Sequence, residues 1–389
     1  MRVCDVSIRC LTALLGCAIG WILCSPGAGI AAEVSLQLSI QMQGKTAGIT
    51  ITGEAGTPLE MECLDAFAAK NTWRFLAYVE LPQASYLWTD PTSPAASQRF
   101  YRAVKVPTNM VLIPEGTFQM GDSFAEAYTD ERPVHAVFIS TFYIDRHETT
   151  KARWDFIHDW ATNNGYVFDN PGGGKAPDHP VHSVNWYDAV KWCNARSEHD
   201  GLAPLYFADA AFTEVYRTNS SAPHANWPAN GYRLPTEAEW EKAARGAAAN
   251  QRFSWADTNV ITHALANYLS DTAYSYDINS TNGYHPLFDD GGTPYTSPVG
   301  FFAANGYGLH DMTGNVLEWC WDWFDGTYYS TPSASQDDTK GPAGPANYRV
   351  LRGGSCMNYA IANRVAYRIE GLPANESMLA GFRCVRGLY

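Results

Sequence analysis

The chain has 389 residues, enough for two domains, and 46% hydrophobic against 17% charged residues marks it as globular rather than disordered. A net charge of −13 with no Lys/Arg cluster excludes electrostatic recognition of nucleic acid or of an anionic bilayer. Thirteen Trp, 22 Tyr, 32 Gly and 22 Pro describe a loop-rich fold packed through aromatic rings.

Residues 1–32 read as an export signal. Arg2 and Arg9 precede an apolar run from Cys10 to Cys24, and small residues follow up to Ala32, where cleavage is expected. The run is shorter than the roughly 20 residues a membrane span needs. Lipid attachment at Cys24 is the alternative, although Trp21, Ile22 and Leu23 lack the usual small residue. The mature protein is then secreted or periplasmic, with no segment able to span a membrane. Cys4, Cys10, Cys17 and Cys24 leave with the signal, and Cys63, Cys193, Cys320, Cys356 and Cys384 remain. In an oxidising compartment five thiols allow two bridges and one free group.

Residues 33–105 alternate apolar and polar side chains in short runs (34–42, 49–52, 59–63, 73–81 and 98–104) separated by turn residues. This predicts a small all-β, sandwich-like domain. Cys63 falls on the same strand face as Leu59 and Met61, as a buried or half-buried thiol, and Glu60 and Glu62 on the other.

The break at 107–109 opens a second domain, 107–389. Thr149 or Thr150 can cap a helix with Trp154, Phe156 and Ile157 on one face. A further helix carries Val190 and Cys193, and residues 197–232 separate it from the next helix-start motif. The segment from Pro235 to Arg245 has good helix formers and stops at Gly246. From Arg252 to Gly308 the chain reads as loop, too long to be left unbraced in a compact domain. His179 and His182 flank Pro180, which disfavours a helix, and they read as structural histidines rather than a metal pair.

Four motifs carry a family resemblance: Arg233 to Trp240 (RLPTEAEW), Gly314 to Trp319 (GNVLEW), Arg349 to Asn358 (RVLRGGSCMN), and Gly381 to Cys384 (GFRC). In this order they resemble the formylglycine-generating enzyme (sulfatase-modifying factor) family. The resemblance implies an α+β domain of irregular C-type-lectin-like fold, braced in part by calcium. Asp311 and Glu318 with the backbone oxygens of Gly314 and Val316 would bind one ion, as hard oxygen donors in a flexible shell suit calcium. Asn267, the Tyr268 carbonyl, Asp290 (or Asp289) and the Gly292 carbonyl would bind a second. Cys193 and Cys384 stand at positions that can bridge, and Cys320 with Cys356 is a further pairing that spacing leaves open. Glu237, Glu239 and Glu241 belong to a fold signature, as helix-start charges and core partners.

The family oxidises a sulfatase cysteine with oxygen and a copper(I) ion held by two thiolates, three and eight residues after the motif serine. Here those positions are Asn358 and Asn363. An amide offers neither the soft sulfur that copper(I) prefers nor a thiolate, so copper is not expected. The one nearby thiol, Cys356, is displaced by about 7 Å along an extended segment. The reading is an exported pseudoenzyme with a binding or scaffold role. Trp227, Tyr268, Tyr284, Tyr295, Tyr328 and Tyr329 are the candidate groove residues for an exported protein or a glycan. The alternatives are an oxidoreductase modifying a cysteine of exported sulfatases, and an enzyme of another reaction class on the same frame.

Overall fold

The computed structural model describes residues 8–11, 36–43, 46–65, 74–93, 98–105, 109–126 and 128–387. The chain divides into two compact units, 1–108 with 388–389, and 109–387. The family-like region is α+β, with three helices among many short strands.

The first unit holds two antiparallel sheets. One orders β1 (Ile8–Leu11), β7 (Gln98–Lys105), β4 (Pro58–Leu64) and β5 (Arg74–Glu80) as β1-β7-β4-β5; the other orders β2 (Gln37–Gln43), β3 (Thr46–Thr52) and β6 (Ser85–Thr89) as β2-β3-β6. Ile49 and Ile51 from the smaller sheet share one core with Leu59, Met61, Cys63 and Tyr101 from the larger. β1 lies in the segment read as an export signal; residues 1–7 and 12–32 lie outside the described residues. Strand β6 escaped the sequence reading, its residues being short and flanked by turns. Glu62, expected to point away from Cys63, is buried and ion-paired with Arg102. A register shift between Met61 and Glu62 breaks the strict alternation there.

In the second unit, β8 (Met110–Ile113), β11 (Phe142–Asp145), β14 (Tyr232–Arg233) and β19 (Val385–Gly387) form one sheet, and β9 (Gly116–Met120) pairs with β10 (His135–Ile139). Helix α1 (Lys151–Thr162) starts at Thr150, whose Oγ1 accepts from the Arg153 N–H. Trp154 and Ile157 are buried, but Phe156 is 62% exposed, one step around the helix from the apolar face. Helix α2 (Trp186–His199), capped by Asn185, packs on α1 with Trp154 and Trp192 parallel at 6.1 Å between centroids. The segment after α2 carries the two-stranded pair β12 (Tyr206–Phe207) and β13 (His224–Ala225).

Helix α3 (Glu237–Ala244) begins with a complete capping box, Thr236 and Glu239 each bonding the other's backbone N–H, and Gly246 follows at φ +57°. Its acids are core partners. Glu239 grips Arg233 in two bonds of 2.6 Å, Glu237 grips Arg368 at 2.7 and 2.9 Å, and Glu241 joins Arg245 to Arg352. Buried guanidinium groups are tolerated because each carboxylate fork meets the planar fork of an arginine.

The last sheet places the remaining motifs. β15 (Leu317–Trp323) runs antiparallel to β16 (Arg349–Arg352), which pairs onward with β17 (Ile369–Gly371); on its other edge β15 runs parallel to β18 (Ala380–Gly381). Glu318 therefore lies opposite both Arg352 and Gly381, so the GNVLEW, RVLRGGS and GFRC motifs meet on one strand. The long loop 252–308 carries no helix and no ladder strand. The Asp277 carboxylate braces it, accepting from the Tyr268 hydroxyl, the Ser270 hydroxyl and the Asp271 N–H at 2.7 to 3.0 Å.

Candidate functional site

After β16 the chain turns through Gly353 and Gly354 at φ +92° and +71°. A Cβ at 354 would lie 2.3 Å from Asn363 Oδ1 and 2.7 Å from the Ala362 carbonyl, so both the dihedral and the close approach demand glycine. The turn lets Cys356 N–H reach the Asn315 carbonyl at 2.8 Å and returns Asn358 N–H to the Ser355 carbonyl at 3.0 Å. Ser355 Oγ donates to Asn358 Oδ1 at 2.7 Å. A single 3-10 turn over Ala360–Asn363 then brings Asn363 back. Its amide donates to the carbonyls of Asn358 (3.0 Å) and Tyr359 (2.8 Å). The two amides at the expected thiol positions thus tie the turn to itself.

Cys356 is fully buried, and burial first, then the charge of Glu148, pushes its thiol up to about 12. At neutral pH it is a protonated thiol rather than a nucleophile or a soft ligand. Asn358 and Asn363 do not supplement it, and among the described residues no three His, Cys, Asp or Glu side chains gather as a metal site.

Next to this turn the polar atoms are not fully matched. Arg383 grips Glu318 at 2.7 and 2.8 Å, and Trp240 Nε1 donates to the same carboxylate at 2.8 Å. Asp311, in the left-handed region at φ +57°, accepts from the Gly300 N–H at 2.6 Å through Oδ2, while its Oδ1 is buried without a partner. Burial pushes the Asp311 carboxyl up to about 6. Glu148 accepts from Asn315 Nδ2 (2.6 Å) and from the Val316 N–H (3.1 Å). Burial, then the charges of Asp311 and Glu318, holds Glu148 well above the usual carboxylate range. Glu318, Glu148 and Asp311 lie in the field of one guanidinium without gathering into a three-carboxylate metal cluster, and Asp311 Oδ1 is the buried hard oxygen that a divalent cation would suit. Glu148 had no motif to single it out, since only the fold brings it beside Asp311 across more than 160 positions.

The other expected ligands are spread differently. Gly314 pairs with Asn267 in an isolated parallel bridge, and a Cβ at 314 would sit 2.3 Å from the Asn267 carbonyl. Asn267 Oδ1 is buried without a partner, its Nδ2 donating to the Tyr295 carbonyl at 2.8 Å. The Tyr268 carbonyl bonds His263 Nε2 at 3.1 Å. Asp290 lies on the surface against Lys175 at 2.7 Å, and its Oδ1 also takes the Gly292 N–H. To serve as a ligand Asp290 would have to leave Lys175.

Cys193 and Cys384 come together as buried thiols, sulfur to sulfur 3.5 Å. Cys320 and Cys356 are also buried thiols, and Cys63 is buried in the core of the first unit. His179 and His182 are buried, on the Thr296 and Ser183 hydroxyls at 2.9 and 3.1 Å, as structural histidines. The aromatic candidates divide. Tyr268, Tyr328 and Tyr329 are core residues and line no groove, the first bonded to Asp277 and the second to Thr339 at 2.7 Å. Tyr284 and Tyr295 are half-buried with their rings tilted by 46° at 4.5 Å between centroids, and Trp227 sits half-buried under Lys340 at 4.4 Å. Aromatic residues in an irregular loop carry no periodicity, so the sequence could not sort core rings from surface ones.

The arrangement of short strands and few helices is that of the irregular C-type-lectin-like fold. Among solved structures, Treponema denticola variable protein 1 superposes with a TM-score of 0.55 at 28% identity, covering 71% of this chain and 94% of that one. PvdO from Pseudomonas aeruginosa gives 0.52 at 26% identity over 72% and 94%. The formylglycine-generating enzyme of Streptomyces coelicolor is 34% identical over 313 residues, 75% of this chain and 91% of that protein. The protein named Chaperone protein LppX of Paenibacillus barcinonensis is 32% identical over 275 residues, 67% and 83%. Residues 96–388 match the family described as "Sulfatase-modifying factor enzyme 1-like domain", and the chain belongs to that family.

Proposed function

We propose that this protein is an exported, non-catalytic member of its family that binds another exported protein, in the manner of a chaperone or scaffold. The observation that carries the reading is the turn at 355–363. The family's thiol positions hold two amides hydrogen-bonded within the turn, and the single neighbouring thiol is buried and protonated. The name of the Paenibacillus relative supports a protein-binding role on this frame. Export rests on the N-terminal sequence pattern; among the described residues no helix is long and apolar enough to cross a membrane.

Calcium is part of the same proposal. Asp311, with Glu148 beside it, and the carbonyls of Gly314 and Val316 would hold one ion. When bound, the ion supplies positive charge that relieves the buried carboxylates and ties the segment 311–316 to Glu148. Glu318 would contribute only by sharing its oxygens with Arg383. After export we expect Cys193 and Cys384 to be bridged, since their sulfurs already touch.

Incubation with a Cys-x-Pro-x-Arg peptide, copper and oxygen, read by mass spectrometry, should give no aldehyde. Aldehyde lost in a Cys356→Ala variant would return the protein to the oxidoreductases. The binding half is tested by refolding an exported sulfatase from denaturant. A stoichiometric increase in recovered activity is expected, and an unchanged yield counts against the role. Non-reducing peptide mapping should show Cys193 joined to Cys384, and full alkylation of both in protein isolated from the oxidising compartment would remove the bridge.

A further inference from the structure

A cleft of about 510 Å3 opens beside the start of α1, lined wholly by residues of the second unit. Arg153, on the first turn of α1, contributes its guanidinium, which has no ion pair or hydrogen bond among the described residues. The carboxylate nearest in charge, Asp145, is already taken by Arg196 in two bonds of 2.6 and 3.0 Å. Two arginines therefore share one acid, and burial together with Arg196 lowers the Arg153 guanidinium from its usual range. Thr149 lines the same cleft; its Oγ1 is buried without a partner and the residue is 2% exposed. A buried hydroxyl and a crowded cation left unmatched in a cavity are both costly unless a ligand completes them.

The remaining lining limits what that ligand can be. Asp200 lies against His199 Nδ1 at 2.7 Å, and Glu148 is hydrogen-bonded to Asn315 and Val316. With Asp145, Asp200 and Glu148 each already partnered, Arg153 is the cation left for an incoming anion, and a ligand of more than one negative charge would meet the acids of the wall, which disfavours phosphate. Ile157 and the exposed ring of Phe156 supply an apolar side.

We propose that this cleft binds a small monocarboxylate bearing an apolar group, with the carboxylate on Arg153 and Thr149 Oγ1 and the apolar group against Phe156 and Ile157. The chemistry is that of a free organic acid or of a protein C-terminus ending in an apolar residue. It does not depend on the reading of the Asn358 and Asn363 turn.

Calorimetric titration of the full chain with N-acetyl-phenylalanine, its amide, and a short peptide ending in a free phenylalanine carboxylate tests it. Saturable binding of the acid, at least tenfold weaker binding of the amide, and a tenfold or greater loss in Arg153→Gln are expected. Peptide binding as tight as that of the acid assigns the site to chain termini; binding of the acid alone assigns it to free acids. Without ligand, Arg153→Gln should melt at the same temperature or a few degrees higher, because it removes an unmatched charge. No saturation by either carboxylate at about 10 mM, unchanged affinity in Arg153→Gln, or a clear fall in its melting temperature would each overturn the assignment. Thr149→Ser, which keeps the hydroxyl, should bind normally and serves as the folded control for Thr149→Val, which should not.

Discussion

The turn at 353–363 and the carboxylate group around Arg383 adjoin through Asn315, yet they bury different chemistry: neutral amides in the turn, ionisable acids around Arg383. In the turn, Ser355, Asn358 and Asn363 hydrogen-bond one another and the backbone, with Asn363 Oδ1 alone left buried without a partner. Around Arg383, three acids share one guanidinium and Asp311 Oδ1 has nothing. Buried polar groups that complete one another rigidify a structure; buried groups left incomplete raise the free energy until something binds. An unmatched buried acid costs more than an unmatched amide oxygen, so a bound counterion is expected at the acidic group before it is expected at the turn.

The comparison breaks most visibly at Arg383. Arg383→Met leaves Glu318 buried without its cation, and a loss of about 3–5 kcal/mol is expected in denaturant unfolding. An effect under about 1 kcal/mol would show that the acids do not depend on it. Calcium comes next. At about one hundred times the dissociation constant the ion should add about 2.7 kcal/mol, seen as a rise in melting temperature that Asp311→Ala removes. A flat calcium response would make the acidic group another closed structural network.

The pH response sharpens the same point. Asp311 is raised from 3.8 to about 6 in the folded protein, so its contribution is fully present below about pH 4 and is lost as pH rises through 6. Calcium-free protein should therefore gain, through this group, of the order of 1–3 kcal/mol between pH 7 and 4 relative to Asp311→Asn. Saturating calcium should erase that difference by holding the carboxylate ionised. The smallest effect is expected in the turn: Asn363→Ala abandons two buried carbonyls at a cost of about 1–2 kcal/mol, with no change in calcium affinity. A change in calcium affinity would join the two regions that the contrast separates.

Much of the frame was legible in the chain. The capping box at Thr236 and Glu239, the stop at Gly246, the alternation through Leu59 and Met61, and the four family motifs are local patterns, and local patterns are what helix caps and pleats require. The amides at 358 and 363 were legible too, because side-chain identity alone decides that no thiolate forms there. Phe156 and Tyr268, Tyr328 and Tyr329 were misread, since a helix face can be off by one position and a loop has no face at all.

The sequence by itself therefore determined the family frame, the helix and strand signals, and the amide side chains that stand at 358 and 363. Only the tertiary structure decided which charges meet: Arg364 on Glu131 from 233 positions away, Arg383 on Glu318, and Glu148 beside Asp311. Whether a buried oxygen is matched is a count of neighbours in space, and the folded chain supplies neighbours that no spacing along it encodes.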